Sequence, residues 1–504
     1  MRAELRLSGL LAAAGVEAVS VAGPDPRISA VRVDSRAVLH GDLFCAIRGF
    51  ETDGERFVGD AVGRGAVAVL AESPRPDSLA PGTAWVCVRD ARRAAGPLSR
   101  VACGRPDDHL TLVGVTGTNG KTTVTWMIES IARAAGRSAG RLGTTGTAFA
   151  GRDLPAARTT PEAPELFALL AEMVDAGVDL VAMEVSSHAL ALGRVGGARF
   201  AVAAFLNLSR DHLDFHESLE SYFEAKAALF DSLRSSGVAV LPADDPFGPR
   251  IAARTAARIL TFGRGATADV RIVDESTGRE GGRAVLRTAG AEIAIRTPLV
   301  GRFNLDNAAA AAACTLAAGL PHDAVIAGLA ALDRVPGRVE RIDRGQPFEV
   351  WVDYAHTPVA LDVLLRAARD ASSGAVAVVF GCGGDRDRGK RSEMGRCAAV
   401  LADRTYLTSD NPRSEDPLAI LREIETGFRG VVGPRGRCAV EPDRASAIAA
   451  AIAEARPGDV VVIAGKGHET GQAAGTRVHP FDDRLAAAEA LEAAGRAGSF
   501  RARA

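Results

Sequence analysis

A glycine-rich segment between an apolar run and a helix-forming stretch carries the residue types needed to bind a polyphosphate. Glycines let the backbone direct successive N–H groups at phosphate oxygens, a lysine offsets their charge, and a hydroxyl such as that of Thr122 suits Mg²⁺. The general pattern has a glycine five residues before Gly120, where this chain has Val115. A helical stretch at 124–135 follows, so the segment predicts a variant phosphate-binding loop and not an ordinary turn. The segment consists of Gly117, Thr118, Asn119, Gly120, Lys121, Thr122 and Thr123.

Two further clusters of polar residues follow apolar runs. Glu184 comes directly after the run at 180–183, and His212 lies in a similar position after the run at 202–206. A buried carboxylate is costly unless it is paired or bound to a metal. Either cluster alone fits a solvated loop. Beside a phosphate-binding loop, however, Glu184 and His212 become candidate Mg²⁺ ligands together with the hydroxyl of Thr122.

Lys226 lies on the apolar side of a predicted helix. Apolar residues at positions 219, 222, 223, 229, 230 and 233 form a stripe with helical spacing, and Lys226 falls inside it. On the pattern alone, the commoner explanation is a lysine whose stem packs on the stripe while its ammonium reaches solvent. The functional alternative is an amine with a lowered pKa, which reacts with CO₂ to form a carbamate that can ligate a metal.

Amides, arginines and acids follow several later apolar runs. Amides suit adenine edges, an arginine suits a polyphosphate, and an acid after a strand suits ribose hydroxyls. An arginine can also bind a carboxylate through two parallel hydrogen bonds, and a carboxylate can receive an ammonium group. The later members of the set therefore suit a zwitterionic substrate. The set comprises Asn304, Arg338, Asp353, Arg386, Asp410, Asn411, Arg413 and Glu469, and Pro412 and Gly465 belong to the same segments.

The composition excludes several classes of protein. A chain of 504 residues is too long for one core. A formal net charge of −2 gives no electrostatic case for nucleic acid or an acidic membrane surface. The N-terminal residues 1–4 carry no leader pattern, and no run of about eighteen apolar residues occurs. We therefore expect a cytoplasmic protein without nucleic-acid binding or stable membrane insertion.

Apolar runs alternate with helix-length stretches in three blocks, which predicts α/β domains with parallel, helix-covered sheets. The predicted domains are 1–106, 107–336 and 337–504. In such sheets the ligand crevice lies at the carboxyl ends of the strands, so the polar clusters are candidates for one shared site. The predicted strands include 31–33, 43–47, 66–70, 85–88, 111–115, 180–185, 202–206, 349–352, 375–380, 404–408 and 460–464.

In their order along the whole chain, these motifs resemble those of the Mur ligase family. The resemblance implies a small N-terminal α/β uridine-nucleotide domain, a central P-loop-type ATPase with a mostly parallel sheet, and a C-terminal Rossmann-like domain that brings the amino acid. The motifs that carry it are 117–123, Thr159-Thr160-Pro161, 184–194, Lys226, 304–307, Arg338, 353–358, 410–413 and 465–469.

The resemblance also implies a reaction. A monomeric ligase would use ATP and Mg²⁺ to join meso-2,6-diaminopimelate to the D-Glu γ-carboxylate of UDP-MurNAc-L-Ala-D-Glu, through an acyl phosphate, in peptidoglycan precursor synthesis. Lys226 matches the family's carbamylated lysine. The arginine of Asp410-Asn411-Pro412-Arg413 matches members that add diaminopimelate, because lysine has no distal carboxylate for it to bind.

By motif match, the resemblance also implies roles for individual residues. ATP would be bound by the loop from Gly117 to Thr123 with Asn304, Arg338 and Asp353, and the metal by Thr122, Glu184, His212 and Lys226. The UDP-MurNAc dipeptide would be bound by Val33, Ser35, Thr159, Thr160, Ser186 and Arg194. Diaminopimelate would be bound by Arg386, Asp410, Asn411, Pro412, Arg413, Gly465 and Glu469.

Two positions depart from the pattern of many relatives. Phe50-Glu51-Thr52 stands where many have His-Gln-Ala, and Leu192 stands where a glutamine is frequent. Neither departure touches the ATP or amino-acid motifs.

Two other functions remain open on the sequence alone. A related amide ligase such as a folylpolyglutamate synthetase would need a pterin pocket and leaves the arginine at 413 unexplained. A catalytically silent nucleotide-binding regulator has no reason to keep Lys121, Glu184, Lys226 and Arg413.

Overall fold

Three α/β regions follow one another along the chain in the computed structural model, which describes residues 5–49, 52–79 and 81–496. The N-terminal region carries a five-stranded sheet in the order β2-β7-β6-β5-β4, parallel except for β2, and a small antiparallel pair of β1 with β3. Its elements are β1 (Leu5–Arg6), α1 (Leu7–Ala14), β2 (Ser20–Ala22), β3 (Arg27–Ile28), β4 (Val31–Arg32), β5 (Leu43–Cys45), α2 (Val58–Gly63), β6 (Ala68–Ala71), β7 (Ala84–Cys87) and α3 (Ala91–Ala102).

The central region is built on an eleven-stranded sheet in the order β11-β10-β9-β12-β8-β13-β14-β15-β16-β17-β18. Its middle strands, from β9 to β16, are parallel, and two antiparallel strands extend it at each edge. The elements are β8 (Thr111–Thr116), α4 (Lys121–Ala134), β9 (Ala139–Gly143), β10 (Gly146–Phe149), β11 (Arg152–Leu154), α5 (Ala163–Asp175), β12 (Leu180–Glu184), α6 (Ser187–Ala191), β13 (Phe200–Phe205), α7 (Leu213–His216), α8 (Leu219–Ala227), β14 (Leu233–Pro242), α9 (Gly248–Ala252), β15 (Arg258–Gly263), β16 (Val270–Gly278), β17 (Gly281–Arg287), β18 (Glu292–Thr297), α10 (Arg302–Ala317) and α11 (His322–Ala331).

The C-terminal region carries a six-stranded sheet in the order β19-β20-β24-β21-β22-β23, parallel except for β19, and a separate antiparallel hairpin of β25 with β26. The elements are β19 (Glu340–Arg341), β20 (Glu349–Asp353), α12 (Pro358–Ala371), β21 (Val376–Phe380), α13 (Gly389–Leu401), β22 (Arg404–Leu407), α14 (Pro417–Arg429), β23 (Arg437–Val440), α15 (Arg444–Ala453), β24 (Val460–Ala464), β25 (Gly471–Ala474), β26 (Arg477–Pro480) and α16 (Asp483–Arg496).

Both faces of the central sheet are covered by helices. Side chains alternate across a strand, so Val113 and Val115 of β8 enter the core beneath α4 and α10, whereas Leu112 enters the core beneath α5 and α8. The alanine-rich α10 lets the helix backbone lie close to the sheet. Since β12, β8 and β13 are parallel neighbours, the loops that follow them emerge together at one edge.

The predicted fold class is confirmed, with differences in detail. The helix expected at 219–233 ends at Ala227; a 3-10 helix over Ala228–Ser232 follows, and β14 begins at Leu233. The antiparallel strands β17 and β18 and the hairpin β25–β26 were not among the predicted strands, because alternating polar residues weaken their apolar signal.

Within the part of the chain that the structure describes, no helix has the length and apolar character needed to cross a membrane. The N-terminal residues 1–4, and Phe50 and Glu51 of the departure noted above, lie outside the described residues.

Candidate active site at the strand ends

The predicted phosphate-binding loop connects β8 to the N-terminus of α4. Gly120 has a φ of 91°, which favours glycine, and a Cβ there would lie 2.5 Å from Asn307 Oδ1, so the Asn307 side chain would have to move. Asn207, on the loop after β13, holds the backbone of Asn119: its Oδ1 accepts from Asn119 N at 2.9 Å and its Nδ2 donates to Asn119 O at 3.1 Å. Asn207 thereby fixes the backbone of the loop beside the N-terminus of α4, where backbone N–H groups attract anions.

Two lysine side chains converge behind this loop. Lys121 Nζ donates to the carbonyl oxygens of Gly117 at 2.7 Å and Thr118 at 2.9 Å. Lys226 Nζ donates to the same Gly117 oxygen at 2.8 Å, and its residue is only 1% exposed. The Lys226 ammonium therefore does not reach solvent, contrary to the commoner explanation of its position. Burial, with the nearby charge of Lys121, lowers the pKa of Lys226 well below its ordinary value.

Glu184 is buried at the end of β12 and bonded on several sides. Its Oε2 accepts from Thr122 Oγ1 at 3.0 Å and from Thr144 Oγ1 at 3.0 Å, and its Oε1 accepts from Thr144 N at 2.8 Å. Arg338, at the start of the C-terminal region, donates from Nη2 to Thr122 Oγ1 at 3.0 Å. The carboxylate of Glu184 and the hydroxyl of Thr122, both predicted for the metal site, are thus hydrogen-bonded to each other. Thr144, which the sequence did not indicate, fixes the carboxylate.

His212 lies farther round the same edge. Its Nε2 is 3.4 Å from Asp211 Oδ2, and His356 of the C-terminal region approaches the same oxygen at 3.7 Å. Burial lowers the pKa of His212 to about 3, so its ring is neutral near pH 7. The two histidines and Asp211 form a contact between the central and C-terminal regions.

The donor set fits a magnesium ion that is completed by substrate oxygens. Among the described residues, no group of three or more His, Cys, Asp or Glu side chains is arranged to hold a metal ion by itself. Mg²⁺ usually takes one or two protein carboxylates and completes its shell with phosphate and water oxygens. The adjacent oxygens of Thr122 and Glu184 suit that arrangement.

A cavity of about 650 Å³ lies between the central and C-terminal regions. It combines the phosphate-binding loop with apolar side chains, as a nucleotide requires for its phosphates and its base. Arg338 and Asp353 line it, and the carboxylate of Asp353 accepts from the backbone N–H of Val339 and Ala355. Its apolar lining includes Phe303, Val359, Val363 and Leu364.

Asn304 is placed differently from the other predicted ATP-binding residues. It is buried, its Nδ2 donates to Val300 O at 2.7 Å, and its Oδ1 accepts from Asn307 Nδ2 at 3.0 Å. Asn307 and Asp306, not Asn304, line the cavity. Asn304 therefore orients Asn307 from behind.

The residues predicted for the UDP-MurNAc dipeptide are divided between two cavities. Val33 and Ser35 line a second cavity of about 570 Å³, to which Arg92, Arg158 and Glu162 also contribute. The other members lie nearer the phosphate-binding loop; Thr159, Ser186 and Arg194 line the first cavity.

Short contacts connect these two groups. Arg194 Nε lies 2.8 Å from Glu162 Oε1, and Glu162 lines the second cavity. Thr160 is fully buried and binds Ser186 N through its hydroxyl at 3.1 Å. Thr159 Oγ1 accepts from Thr144 Oγ1 at 3.1 Å. An elongated substrate could therefore extend from the N-terminal region to the phosphate-binding loop.

The predicted amino-acid residues lie on the loops after β21, β22 and β24. Asn411 Nδ2 donates to Glu469 Oε2 at 2.9 Å. Arg413 Nη1 donates to Gly384 O at 2.6 Å, which brings the arginine to the loop that carries Arg386. Gly465 has a φ of 114°, and a Cβ there would lie 2.7 Å from Asp410 Oδ2. The motif residues from three strands are thus brought together.

The hairpin β25–β26 holds the backbone of this site. Arg413 N donates to Ala473 O at 3.1 Å, and Gly475 N donates to Arg413 O at 2.7 Å. The φ of Arg413 is 50°, an uncommon value for a residue with a side chain. The hairpin therefore maintains a backbone conformation that the arginine alone would not favour.

Comparison with known proteins gives matches in all three regions. The models described as Mur ligase family, catalytic domain; Mur ligase middle domain; and Mur ligase, glutamate ligase domain match residues 27–101, 115–315 and 337–467. The UDP-N-acetylmuramoyl-L-alanyl-D-glutamate–2,6-diaminopimelate ligase of Geobacillus kaustophilus (strain HTA426) is 46% identical over 480 residues, which cover 94% of this chain and 96% of that protein.

The chain belongs to the Mur ligase family. The enzyme of the same name from Solibacter usitatus (strain Ellin6076) is 45% identical over 470 residues, covering 93% of this Mur ligase and 94% of the relative. A solved structure of a protein with that name superposes with a TM-score of 0.68 at 33% identity and covers 98% of this chain and 100% of its own. The resemblance inferred from the motifs is confirmed over 93% or more of the chain.

Sequence reasoning missed three residues of this Mur ligase that orient the predicted ones. Thr144 bonds Glu184, Asn207 bonds the phosphate-binding loop, and Lys466 bonds Asn411 and Glu469. Asn207 and Lys466 lie in polar segments that follow predicted strands, so the sequence indicated where they lie but not what they do. Thr144 follows a strand that was not predicted.

Proposed function

We propose that this Mur ligase joins meso-2,6-diaminopimelate to the D-Glu γ-carboxylate of UDP-MurNAc-L-Ala-D-Glu at the expense of ATP, forming the muramoyl tripeptide, ADP and phosphate. The observation that carries the proposal is the cluster of Asn411, Arg413 and Glu469, an amide, an arginine and an acid held on adjoining loops. Such a set is complementary to an amino acid with a second carboxylate. Relatives that match nearly the whole chain are named as 2,6-diaminopimelate ligases.

In the first step, the D-Glu γ-carboxylate attacks the γ-phosphorus of ATP and displaces ADP. The loop N–H groups and Lys121 offset the charge that spreads over the phosphate oxygens. Arg338, bonded to Thr122 from the C-terminal side, adds a second cation at the same end of the cavity. When bound at Thr122 and Glu184, Mg²⁺ would supply further charge neutralisation.

In the second step, the amine of diaminopimelate attacks the acyl phosphate carbonyl, and phosphate leaves from the tetrahedral intermediate. The C-terminal region must present the amino acid to the central region. The two regions meet through the ion pair of Arg210 Nε with Asp387 Oδ2 at 2.9 Å and through His356 with Asp211. This apposition would exclude water that otherwise hydrolyses the acyl phosphate.

Lys226 is proposed to react with CO₂ and to carry a carbamate. Its lowered pKa increases the fraction of neutral amine, which is the form that reacts. The neutral amine would add to CO₂ and release a proton, and the resulting carbamate anion would be able to join His212 and Glu184 in holding the metal.

The remaining expectations concern the setting of the enzyme. Val33 and Ser35 are proposed to contact the uridine nucleotide, and Thr159, Thr160, Ser186 and Arg194 the muramoyl peptide. We also propose a monomer that acts in the cytoplasm, where ATP and UDP-linked precursors are available.

One assay tests the function. Purified protein is supplied with ATP, Mg²⁺ and UDP-MurNAc-L-Ala-D-Glu, together with meso-diaminopimelate or L-lysine, and phosphate release is followed. We expect release only with diaminopimelate. Absence of phosphate release with either amino acid would contradict a ligase of this kind and leave a nucleotide-binding regulator or a ligase for another acid. Faster release with L-lysine would contradict the proposed specificity for diaminopimelate.

A further inference from the structure

Lysine is rare in this chain and is confined to four positions. The chain has 60 lysines and arginines in total, and the lysines are Lys121, Lys226, Lys390 and Lys466. Arginine therefore occupies nearly every position at which either a guanidinium or an ammonium group is sufficient. We interpret a lysine in this chain as a position that needs the compact ammonium group, because the two side chains differ in shape and in hydrogen-bond geometry.

Two of the four lysines already have such a role. Lys121 belongs to the phosphate-binding loop, and Lys226 is the proposed carbamate. Lys466 has no role in the reaction described above, yet it is fully buried at 0% exposure. A fully buried lysine is rare unless its charge is paired.

The ammonium of Lys466 has three protein acceptors. Its Nζ lies 3.1 Å from Glu469 Oε2, 3.2 Å from Asn411 Oδ1 and 2.6 Å from the carbonyl oxygen of Gly471. An ammonium has three N–H donors, so the three acceptors match its capacity. The acceptors belong to three different segments: the loop after β24, the loop after β22 and the hairpin β25–β26.

Glu469 is held by one oxygen only. Its Oε2 accepts from Lys466 and from Asn411 Nδ2, whereas its Oε1 accepts no hydrogen bond from the described residues. The Glu469 side chain as a whole is 32% exposed, so the carboxylate is not enclosed by protein on every side. The arrangement leaves one oxygen of the carboxylate for an ammonium group of the substrate.

We propose that Lys466 is a positioning residue for the amino-acid substrate: it fixes Glu469 Oε2 and Asn411 so that Glu469 Oε1 is directed at the diaminopimelate ammonium. The inference rests on the proposed function. Arginine is not equivalent to Lys466, because a planar guanidinium is larger than an ammonium group and does not direct three donors from one atom.

A double-mutant cycle tests the inference on the full-length enzyme. The variants are Lys466→Met, Glu469→Gln and the double variant, and KM is measured separately for diaminopimelate, ATP and UDP-MurNAc-L-Ala-D-Glu. We expect Lys466→Met to raise the KM for diaminopimelate about tenfold or more, with the other two KM values changed less than about twofold. Because Lys466 acts through Glu469, the double variant should be little worse than Glu469→Gln.

Arg404→Met is the matched control. Arg404 is a largely buried cation at the other end of the same sheet, paired with Asp459. This variant removes a buried ion pair of the same region without touching the site, so it should lower the melting temperature and leave the KM for diaminopimelate unchanged. If Lys466→Met does not fold, Lys466→Gln, which keeps a polar group, replaces it in the cycle.

The outcomes distinguish failure of the role of Lys466 from failure of the proposed function. Three outcomes would overturn the role of Lys466 while the ligase activity stands. They are additive effects in the cycle, equal changes in all three KM values, and a rise in the KM for diaminopimelate in Arg404→Met as large as that in Lys466→Met. Full activity of Lys466→Arg would also overturn it. A wild-type enzyme that is inactive with diaminopimelate would overturn the proposed function and this inference together.

Discussion

The side-chain amines of Lys121 and Lys226 share one acceptor, the carbonyl oxygen of Gly117, at 2.7 Å and 2.8 Å. Two ammonium charges at one buried oxygen repel each other, and each disfavours the other's charged form. Lys121 is proposed to bind a phosphate, whereas Lys226 is enclosed at 1% exposure. Repulsion between the two ammonium groups therefore favours loss of a proton from the amine of Lys226.

Replacement of Lys226 by alanine should reduce turnover about a hundredfold or more, because a charged group at the reacting phosphates is lost. We expect partial rescue by a short carboxylic acid that occupies the place of the carbamate. With ¹³C-labelled bicarbonate, the wild type should show a carbamate carbonyl resonance that is absent from the variant. Unimpaired turnover of Lys226→Ala would rule out the carbamate.

Thr144→Val should raise the Mg²⁺ concentration needed for half-maximal activity about tenfold, because residues that hold a metal ligand typically contribute tenfold or more to metal affinity. The variant loses the hydroxyl bond to Glu184 Oε2 and keeps the backbone bond to Oε1. The measurement is a Mg²⁺ titration at saturating ATP. Thr147→Val, at a buried threonine of the neighbouring β10, provides the control. The same shift in both variants would argue against a specific effect.

Arg413→Lys should raise the KM for diaminopimelate about tenfold to a hundredfold and leave the KM for ATP nearly unchanged. Lysine keeps the charge but cannot form two parallel hydrogen bonds to a carboxylate. Steady-state kinetics with each substrate varied in turn distinguish the two constants. Equal increases in both would refute a carboxylate clamp.

Glu275→Gln should change the pH dependence of stability. Hydrogen bonds from Arg264 and Arg302 lower the pKa of Glu275 to about 2 from an ordinary value of 4.5. A lowered pKa means that the carboxylate stabilises the fold above pH 4.5 and loses this contribution as the pH falls toward about 2. The melting temperature of the wild type should exceed that of the variant at pH 7.

The difference in melting temperature between the wild type and Glu275→Gln should become smaller as the pH falls below 4.5. Arg287 and Glu292 form a more exposed pair on the same part of the sheet, so Glu292→Gln should show a smaller gap. A gap that does not depend on pH would exclude the ion pairs as its cause.

The strand-end clusters could be predicted from sequence because parallel neighbours place their following loops at one edge. That rule indicated Glu184 and His212, which line the same cavity as the phosphate-binding loop in the structure. The prediction needs only local apolar runs and the direction of the strands.

Contacts made across long sequence separations could not be predicted in the same way. The helical stripe indicated that Lys226 is on a buried face, but its acceptor is 109 residues earlier in the chain. Thr144 had no local signal, since its role depends on the pairing of β9 with β12. Asn304 was expected at the nucleotide, and only the packing of α10 reveals that its amide is engaged with Val300 and Asn307.

The hairpin β25–β26 fixes the backbone conformation at Arg413 without using its side chain. Both hydrogen bonds that maintain the uncommon φ of this residue are made by its backbone, to Ala473 and Gly475. Another residue at position 413 would therefore be presented from the same place. If Arg413 binds the amino acid as proposed, single replacements at this position would change which amino acid is bound while the surrounding backbone stays the same.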